Sequence, residues 1–156
     1  MAQSTPTFFT YPTPHGPMTI GANSRGITGI AFEETTLPGE RRASELTNRA
    51  ATQIQEYLAG KRTSFDVPLD PDGSSFQKEV WSCVGMLEYG EVCTAADIAR
   101  SMGKAGAHRS VGTAIRRNPI PILIPTHRVD LPNATGKVAR IYRALRTFEG
   151  NRNRRP

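Results

Sequence analysis

The fold is decided by residues 118–129, which read Asn-Pro-Ile-Pro-Ile-Leu-Ile-Pro-Thr-His-Arg-Val. Three prolines punctuate an apolar run, and each fixes the backbone locally because its ring restricts φ. The run ends in three side chains that form hydrogen bonds, Thr126, His127 and Arg128. We therefore expect a locally rigid segment that leads to these polar groups.

The residues that precede this stretch predict an N-terminal lobe of strands followed by a helix. The expected strands are residues 7–11, 18–22 and 26–32. A helix is expected from about Arg41 to Ala59, and Gly60 is placed to end it. Its apolar stripe comprises Leu46, Ala50, Ile54 and Leu58. The expected architecture is a three-stranded antiparallel sheet plus one helix, followed by an extended connector at residues 65–73.

A helical lobe is predicted around the deciding stretch. Capping-box patterns, Ser74 with Gln77 and Thr94 with Asp97, mark the starts of two helices. The first has an apolar face made of Phe76, Val80, Val84 and Leu87. A short glycine-bearing turn follows the second and leads into a basic helix over residues 107–117. Two short helices joined in this way predict a helix-turn-helix.

A last helix is expected from about Val138 to Glu149. Its predicted core residues are Val138, Ile141, Tyr142, Leu145 and Phe148. Its predicted outward-facing residues are Arg140, Arg143 and Arg146. Residues 1–70 are therefore expected to form one lobe and residues 71–150 a second, with a basic tail at 151–156.

Charge is divided unevenly between the two parts. Residues 1–70 hold six Lys/Arg and seven Asp/Glu, whereas residues 71–156 hold fourteen Lys/Arg and seven Asp/Glu. A basic half beside a near-neutral half indicates that the second half faces a polyanion, with nucleic acid the first candidate. The alternative is a solvated basic surface with no ligand.

Several protein classes are excluded by the remaining features of the sequence. Two cysteines, Cys83 and Cys93, fit neither a disulfide framework nor a zinc ligand set, so we expect no metal. No apolar run approaches the roughly 20 residues that span a membrane. The N-terminus lacks the pattern of a secretory signal. We therefore expect a cytoplasmic protein, associated with the nucleoid if it is bacterial.

A series of short motifs resembles the O6-alkylguanine-DNA alkyltransferases. The motifs are residues 11–18, 76–81, 89–91, 107–112, 118–119 and 125–129. The resemblance implies a ribonuclease-like α/β lobe followed by a helical, winged-helix DNA-binding lobe. It also implies a double-stranded DNA partner, bound through the minor groove at O6-alkylguanine lesions, and no cofactor.

The resemblance assigns DNA-binding residues to the basic helix. Arg109 matches the family arginine that fills the gap left by an extruded base, and extrusion costs a few kcal/mol. Arg116 and Arg117 lie further along and are expected to contact phosphates. The alternative is that all three arginines are merely solvated.

The resemblance also identifies a reactive centre whose nucleophile has been replaced. Members of the family carry a cysteine between the proline and the histidine, and here Thr126 stands next to Pro125. His127 and Glu149 match the activating histidine and the glutamate that orients it. Threonine does not ionise near neutral pH as a thiol does, so we expect no alkyl transfer. Cys83 and Cys93 are interpreted as structural.

Further matches and departures concern the surroundings of this centre. Asn118, Pro125, Arg128 and Val129 are expected to be structural, with Arg128 paired to an acidic side chain. Ala95 replaces a family tyrosine that contacts the target nucleotide, and the loop at residues 129–137 is short and lacks an aromatic side chain.

Three hypotheses follow from these matches and departures. The first is a DNA-binding homologue without transferase activity, a sensor of O6-alkylguanine that works with an unidentified repair partner. The second is an active enzyme, which would use Thr126 or would be an altered form of a cysteine-bearing parent. The third is a degenerate scaffold that acts as a protein-interaction module.

Overall fold

The computed structural model describes residues 5–153, and the chain divides into two compact units between Asp72 and Gly73. Within residues 5–153, no helix is both long enough and apolar enough to cross a membrane. The predicted residues Arg154 and Arg155 of the basic tail lie outside the described residues.

The N-terminal unit contains a mixed four-stranded sheet in the order β3-β2-β1-β4. Its strands are β1 (Thr7–Tyr11), β2 (Met18–Ala22), β3 (Ile27–Ala31) and β4 (Glu40–Arg41). The three predicted strands are confirmed and are antiparallel, with Phe9 opposite Ile20. The prediction of three strands missed β4, which pairs in parallel with β1. Strand β4 consists of two exposed polar residues and carries no alternating pattern, so no local signal predicts it.

A single helix, α1 (Glu45–Leu58), packs on this sheet. It begins four residues after the predicted Arg41, because Ser44 and Thr47 form a capping box there. Ala50 and Ile54 of the predicted stripe are fully buried, as expected. Gly60 adopts a φ of 79°, which glycine tolerates without strain, and the helix ends before it as predicted.

Up to residue 153, the C-terminal unit contains four α-helices and a two-stranded parallel sheet. The helices are α2 (Ser75–Gly85), α3 (Ala95–Ser101), α4 (His108–Arg116) and α5 (Lys137–Asn153). Both predicted capping boxes, at Ser74 and Thr94, are present. The predicted helix-turn-helix is α3 and α4, joined through a 3-10 turn at Ala105–Ala107.

The two-stranded sheet fixes the end of the 118–129 stretch. It pairs β5 (Cys93–Thr94) with β6 (Val129–Asp130), so Val129 lies opposite Cys93. Since β5 leads directly into α3, the stretch is attached to the start of the helix-turn-helix. Trp81 of α2 donates a buried hydrogen bond of 2.8 Å to the Ala114 carbonyl, which joins α2 to α4.

Helix α5 corrects three predictions made from the sequence. It continues to Asn153, beyond the predicted end at Glu149. Val138, predicted to be core, is 45% exposed, and the next residue, Ala139, is buried in its place. Arg146, predicted to face outward, is half-buried and donates to the His127 carbonyl at 3.1 Å. The spacing of apolar residues predicted the helix correctly, but the buried face of the helix includes Ala139 and not Val138.

Replacing Trp81 by Phe tests the junction between α2 and α4. The variant removes the Trp81 hydrogen bond to the Ala114 carbonyl, which still accepts from the Arg117 amide at 3.2 Å, and it removes part of a buried ring system. Together these losses cost about 1–3 kcal/mol of unfolding free energy. Trp81 is the single tryptophan of the chain, so urea unfolding is followed by far-UV circular dichroism. The exposed Lys78→Ala change on the same helix is the control, expected within about 0.5 kcal/mol of the unchanged protein. Equal stability of Trp81→Phe and the control contradicts this role.

Candidate functional site

The 118–129 stretch folds into a buried bend braced by Asn118. The Asn118 carbonyl oxygen accepts from the Ile120 amide at 2.9 Å, and its amide nitrogen donates to the Ile124 carbonyl at 3.0 Å. The same nitrogen donates to the Thr126 hydroxyl at 3.0 Å. One side chain thus holds both ends of the bend, and every residue from Ile120 to Val129 is buried.

The bend contains a strained residue. Ile122 adopts a φ of 73°, the left-handed region that β-branched side chains rarely enter, and such strain costs of order 1–3 kcal/mol. The surrounding contacts hold it in place: Ile122 is buried, and the Ile124 amide donates to the Ile120 carbonyl across it at 2.9 Å. The conformation of the segment is therefore imposed by its neighbours rather than by local preference.

Thr126 begins a 3-10 turn, Thr126–Arg128, and is 0% exposed. Its hydroxyl accepts from Asn118 and donates to the Tyr142 hydroxyl at 3.1 Å. Among the described residues these are its two hydrogen-bond partners, and His127 is not one of them. The hydroxyl proton is therefore directed toward Tyr142 rather than toward an imidazole base. Burial raises the pKa of Tyr142, so its phenol stays protonated at neutral pH.

A buried carboxylate, that of Glu149, organises the residues that follow Thr126. His127 Nε2 lies 2.7 Å from Glu149 Oε2. Arg128 donates to both carboxylate oxygens, at 2.8 and 3.0 Å, and the Gly90 amide donates to Oε1 at 3.0 Å. Arg128 is therefore paired with the same glutamate that the sequence had linked to His127. A guanidinium that donates two hydrogen bonds is well suited to hold a buried carboxylate.

The protonation of His127 follows from this environment. Burial lowers the pKa of His127, and this effect outweighs the opposite effect of Glu149. The ring is therefore neutral near pH 7. A carboxylate only accepts hydrogen bonds, so the proton of the neutral ring lies on Nε2 and the lone pair on Nδ1. The pair has the chemistry of a general base held by a glutamate.

Cys83 and Cys93 are both half-buried, and Cys93 does not supply a replacement thiolate. Burial, followed by the charges of Asp97 and Glu91, raises the pKa of the Cys93 thiol to about 11. Cys93 therefore remains a protonated thiol at neutral pH, and a protonated thiol is a weak nucleophile.

The residues predicted to bind DNA lie on the helix-turn-helix. Arg109 and Arg116 are exposed on α4, and Arg117 is exposed at its C-terminal end. Arg116 follows Arg109 by seven positions, a spacing of about 10 Å along a helix axis. Ala95 is the half-buried first residue of α3 and faces the middle of α4 near Gly112.

A cavity of about 310 Å³ lies between the end of α4, the loop after β6 and the first turns of α5. Its walls are mainly apolar, with Ile115, Leu131 and Val138 among them, and Arg116 lines one side. Tyr142 supplies an aromatic wall. The loop at residues 129–137 contains no aromatic side chain, and helical spacing predicted Tyr142 in the core of α5. Helical spacing shows which residues share a face, but not that this face borders a cavity.

No group of three or more His, Cys, Asp or Glu side chains that could hold a metal ion occurs in the part of the chain that the structure describes.

Known proteins resemble the chain over both units. Residues 8–71 match the family model of the ribonuclease-like domain of 6-O-methylguanine DNA methyltransferase, and residues 75–147 match that of its DNA-binding domain. A methylated-DNA–protein-cysteine methyltransferase of Methanosarcina barkeri is 41% identical over 75% of this chain and 77% of its own length.

Solved structures give the same result. The O6-methylguanine methyltransferase of Mycobacterium tuberculosis is 33% identical, with 94% of each chain covered and a TM-score of 0.82. The Mycobacterium tuberculosis protein OGT, solved in complex with DNA, is 34% identical with the same coverage and a TM-score of 0.83.

Replacing His127 by Gln tests the neutral state of the buried ring. The folded state resists protonation of His127, whereas the unfolded state takes up a proton near the ordinary value of 6.5. The unfolded state therefore binds more protons as pH falls below this value, and stability is lost. We expect unfolding free energies, measured from about pH 7 to about pH 5, to fall less steeply for His127→Gln.

The exposed His108→Gln change is the matched control for this experiment and should keep the slope of the unchanged protein. Identical slopes for all three proteins mean that His127 accepts a proton as readily in the fold as outside it.

Proposed function

Because the chain belongs to the 6-O-methylguanine DNA methyltransferase family, we propose that it binds duplex DNA and senses O6-alkylguanine without accepting the alkyl group. One observation carries the proposal: at the position that matches the family nucleophile, a buried threonine hydroxyl is engaged by Asn118 and Tyr142. The basic surface of α4 and the adjoining cavity, by contrast, are both present.

The loss of transfer follows from the chemistry of the hydroxyl. Transfer would break the bond between O6 and the alkyl carbon, join that carbon to the nucleophile and pass the nucleophile's proton to a base. A thiol does this readily because it ionises near neutral pH. The Thr126 hydroxyl ionises far less readily and directs its proton to Tyr142, whose phenol is itself protonated. Within residues 5–153, the Thr126 hydroxyl therefore has no base in hydrogen-bond contact that would activate it.

DNA binding is proposed through α4 in the minor groove. The exposed Arg109 is placed at the beginning of the helix, where its guanidinium would occupy the gap left by an extruded base. It would offset part of the few kcal/mol that extrusion costs. Arg116 lines the cavity and Arg117 stands at the end of α4. The extruded base would lie in the cavity, with Tyr142 and the apolar side chains as its walls.

Binding to a short duplex with one O6-methylguanine, compared with the same duplex carrying guanine, tests the proposal. Fluorescence anisotropy at two salt concentrations is expected to show tighter binding to the lesion. It should also show an affinity for both duplexes that falls as salt rises, because counterions are released from phosphates. Equal, salt-dependent affinities would rule out lesion sensing and leave general DNA binding. Absence of binding to either duplex would contradict DNA binding and favour the hypothesis of a degenerate scaffold that acts as a protein-interaction module.

Variants separate the proposed roles of the arginines. Arg109→Ala should lower the affinity about tenfold, or ~1.4 kcal/mol, with little change in the salt dependence. Arg117→Ala should reduce the slope of log K against log salt by about 0.9, the value for one phosphate contact. Arg42→Ala, an equal change of charge at an exposed position in the other unit, is the control and should bind as the unchanged protein does.

An active transferase is the second candidate, and two observations favour it. The His127–Glu149 pair is formed, and the curated relatives are named as methyltransferases. The intact mass of the protein after incubation with the O6-methylguanine duplex distinguishes the candidates. We expect an unchanged mass, since Thr126 carries no thiol and the Cys93 thiol stays protonated at neutral pH. An added methyl group on the protein would establish the transferase instead.

A further inference from the structure

Tyr142 belongs to two environments at once. Its hydroxyl bonds to the Thr126 hydroxyl at 3.1 Å, and its ring meets the His127 ring edge-on with 6.3 Å between centroids. The same side chain lines the cavity of about 310 Å³ that borders α4. Tyr142 therefore contacts the buried Thr126 and also borders the cavity.

Thr126 has no surface of its own that faces this cavity, because its exposed fraction is 0%. An atom that reacts with a bound base must lie about 3–3.5 Å from the reacting carbon. At position 126 the space at this distance is already filled by the Tyr142 hydroxyl at 3.1 Å and by the Asn118 nitrogen at 3.0 Å. A substituent that enters the cavity meets Tyr142 before it can reach position 126.

The position of Tyr142 differs from that of a simple core residue. Its neighbours on the inner face of α5, Ile141 and Leu145, are buried, whereas Tyr142 is only half-buried. Tyr142 also borders a second cavity, of about 210 Å³. Open space beside the ring means that close packing does not by itself fix it, so the hydrogen bond to Thr126 contributes to its position.

We infer that Tyr142 is a gate residue that separates position 126 from the cavity. A base bound in the cavity is then held without contact between the O6 substituent of the base and residue 126. The inference deepens the proposed function and rests on it for the identity of the bound base. Its physical core, that Tyr142 blocks access to position 126, stands on the geometry alone. A thiol introduced at that position is therefore expected to remain shielded.

Alkylation of an introduced thiol by iodoacetamide tests this. In that reaction the sulfur forms a bond to the acetamide carbon, iodide leaves and the thiol proton passes to the buffer. Three proteins are compared: Thr126→Cys, Thr126→Cys with Tyr142→Ala, and Thr126→Cys with Tyr142→Leu. Peptide mass mapping measures the labelling rate at position 126, while the rates at Cys83 and Cys93 report whether the fold is unchanged.

We expect both double variants to be labelled at position 126 at least about tenfold faster than Thr126→Cys alone, because access no longer requires local opening. The leucine variant keeps apolar packing on α5, so it serves if the alanine variant unfolds. Thr126→Cys with Arg140→Ala, an exposed change on the same helix, is the control and should be labelled as slowly as Thr126→Cys. Equal rates in all variants overturn the inference.

A second reagent distinguishes failure of the gate from failure of the proposed function. The same proteins are incubated with the O6-methylguanine duplex, and their intact masses are measured. Methylation of the double variants but not of Thr126→Cys supports both ideas. Faster iodoacetamide labelling without methylation supports the gate. Equal affinity of Thr126→Cys, which keeps the Tyr142 wall, for the lesion duplex and the guanine duplex counts against a base-binding cavity. If the single variant Thr126→Cys is itself labelled rapidly and methylated, the gate is overturned, while the proposed recognition of O6-methylguanine in DNA is supported.

Discussion

The Glu149 carboxylate is 1% exposed and accepts hydrogen bonds from His127, Arg128 and the Gly90 amide. An ionised carboxylate so deeply buried is stable only when it is fully engaged, and removing one partner from such a pair typically costs about 3–5 kcal/mol. The three donors come from two segments remote from α5 in the sequence. One carboxylate therefore fixes where α5, the 126–128 turn and the loop at Gly90 lie relative to one another.

The same carboxylate links the architecture of the site to its acid–base chemistry. Because Arg128 balances its charge, Glu149 can orient His127 without requiring that the imidazole be protonated. Burial keeps the pKa of His127 low, and the hydrogen bond assigns its proton to Nε2. A neutral, oriented base is thus preserved beside a residue that makes no hydrogen bond to it. The His127–Glu149 pair is therefore formed independently of the side chain at position 126.

Much of this arrangement could be predicted from the sequence, for reasons that particular residues make clear. Strands β1 to β3 and the capping boxes at Ser74 and Thr94 are determined by local patterns, and local patterns are what a sequence displays directly. Strand β4 is too short to carry a pattern, and it forms only because β1 offers it a partner edge. Val138 and Tyr142 were misplaced for a related reason. Periodicity defines a face of α5, but tertiary packing decides which part of that face meets the core and which borders a cavity.

The bend at residues 118–126 has a consequence for how such a protein can change over generations. Its shape is held by Asn118 and by main-chain hydrogen bonds, including one across the strained Ile122, and the Thr126 hydroxyl adds one further bond to Asn118. A residue of similar size can therefore be exchanged at position 126 while the loop keeps its form. The chemistry of position 126 and the architecture around it are therefore separable, and a substitution there can change the first while the second stays as it is.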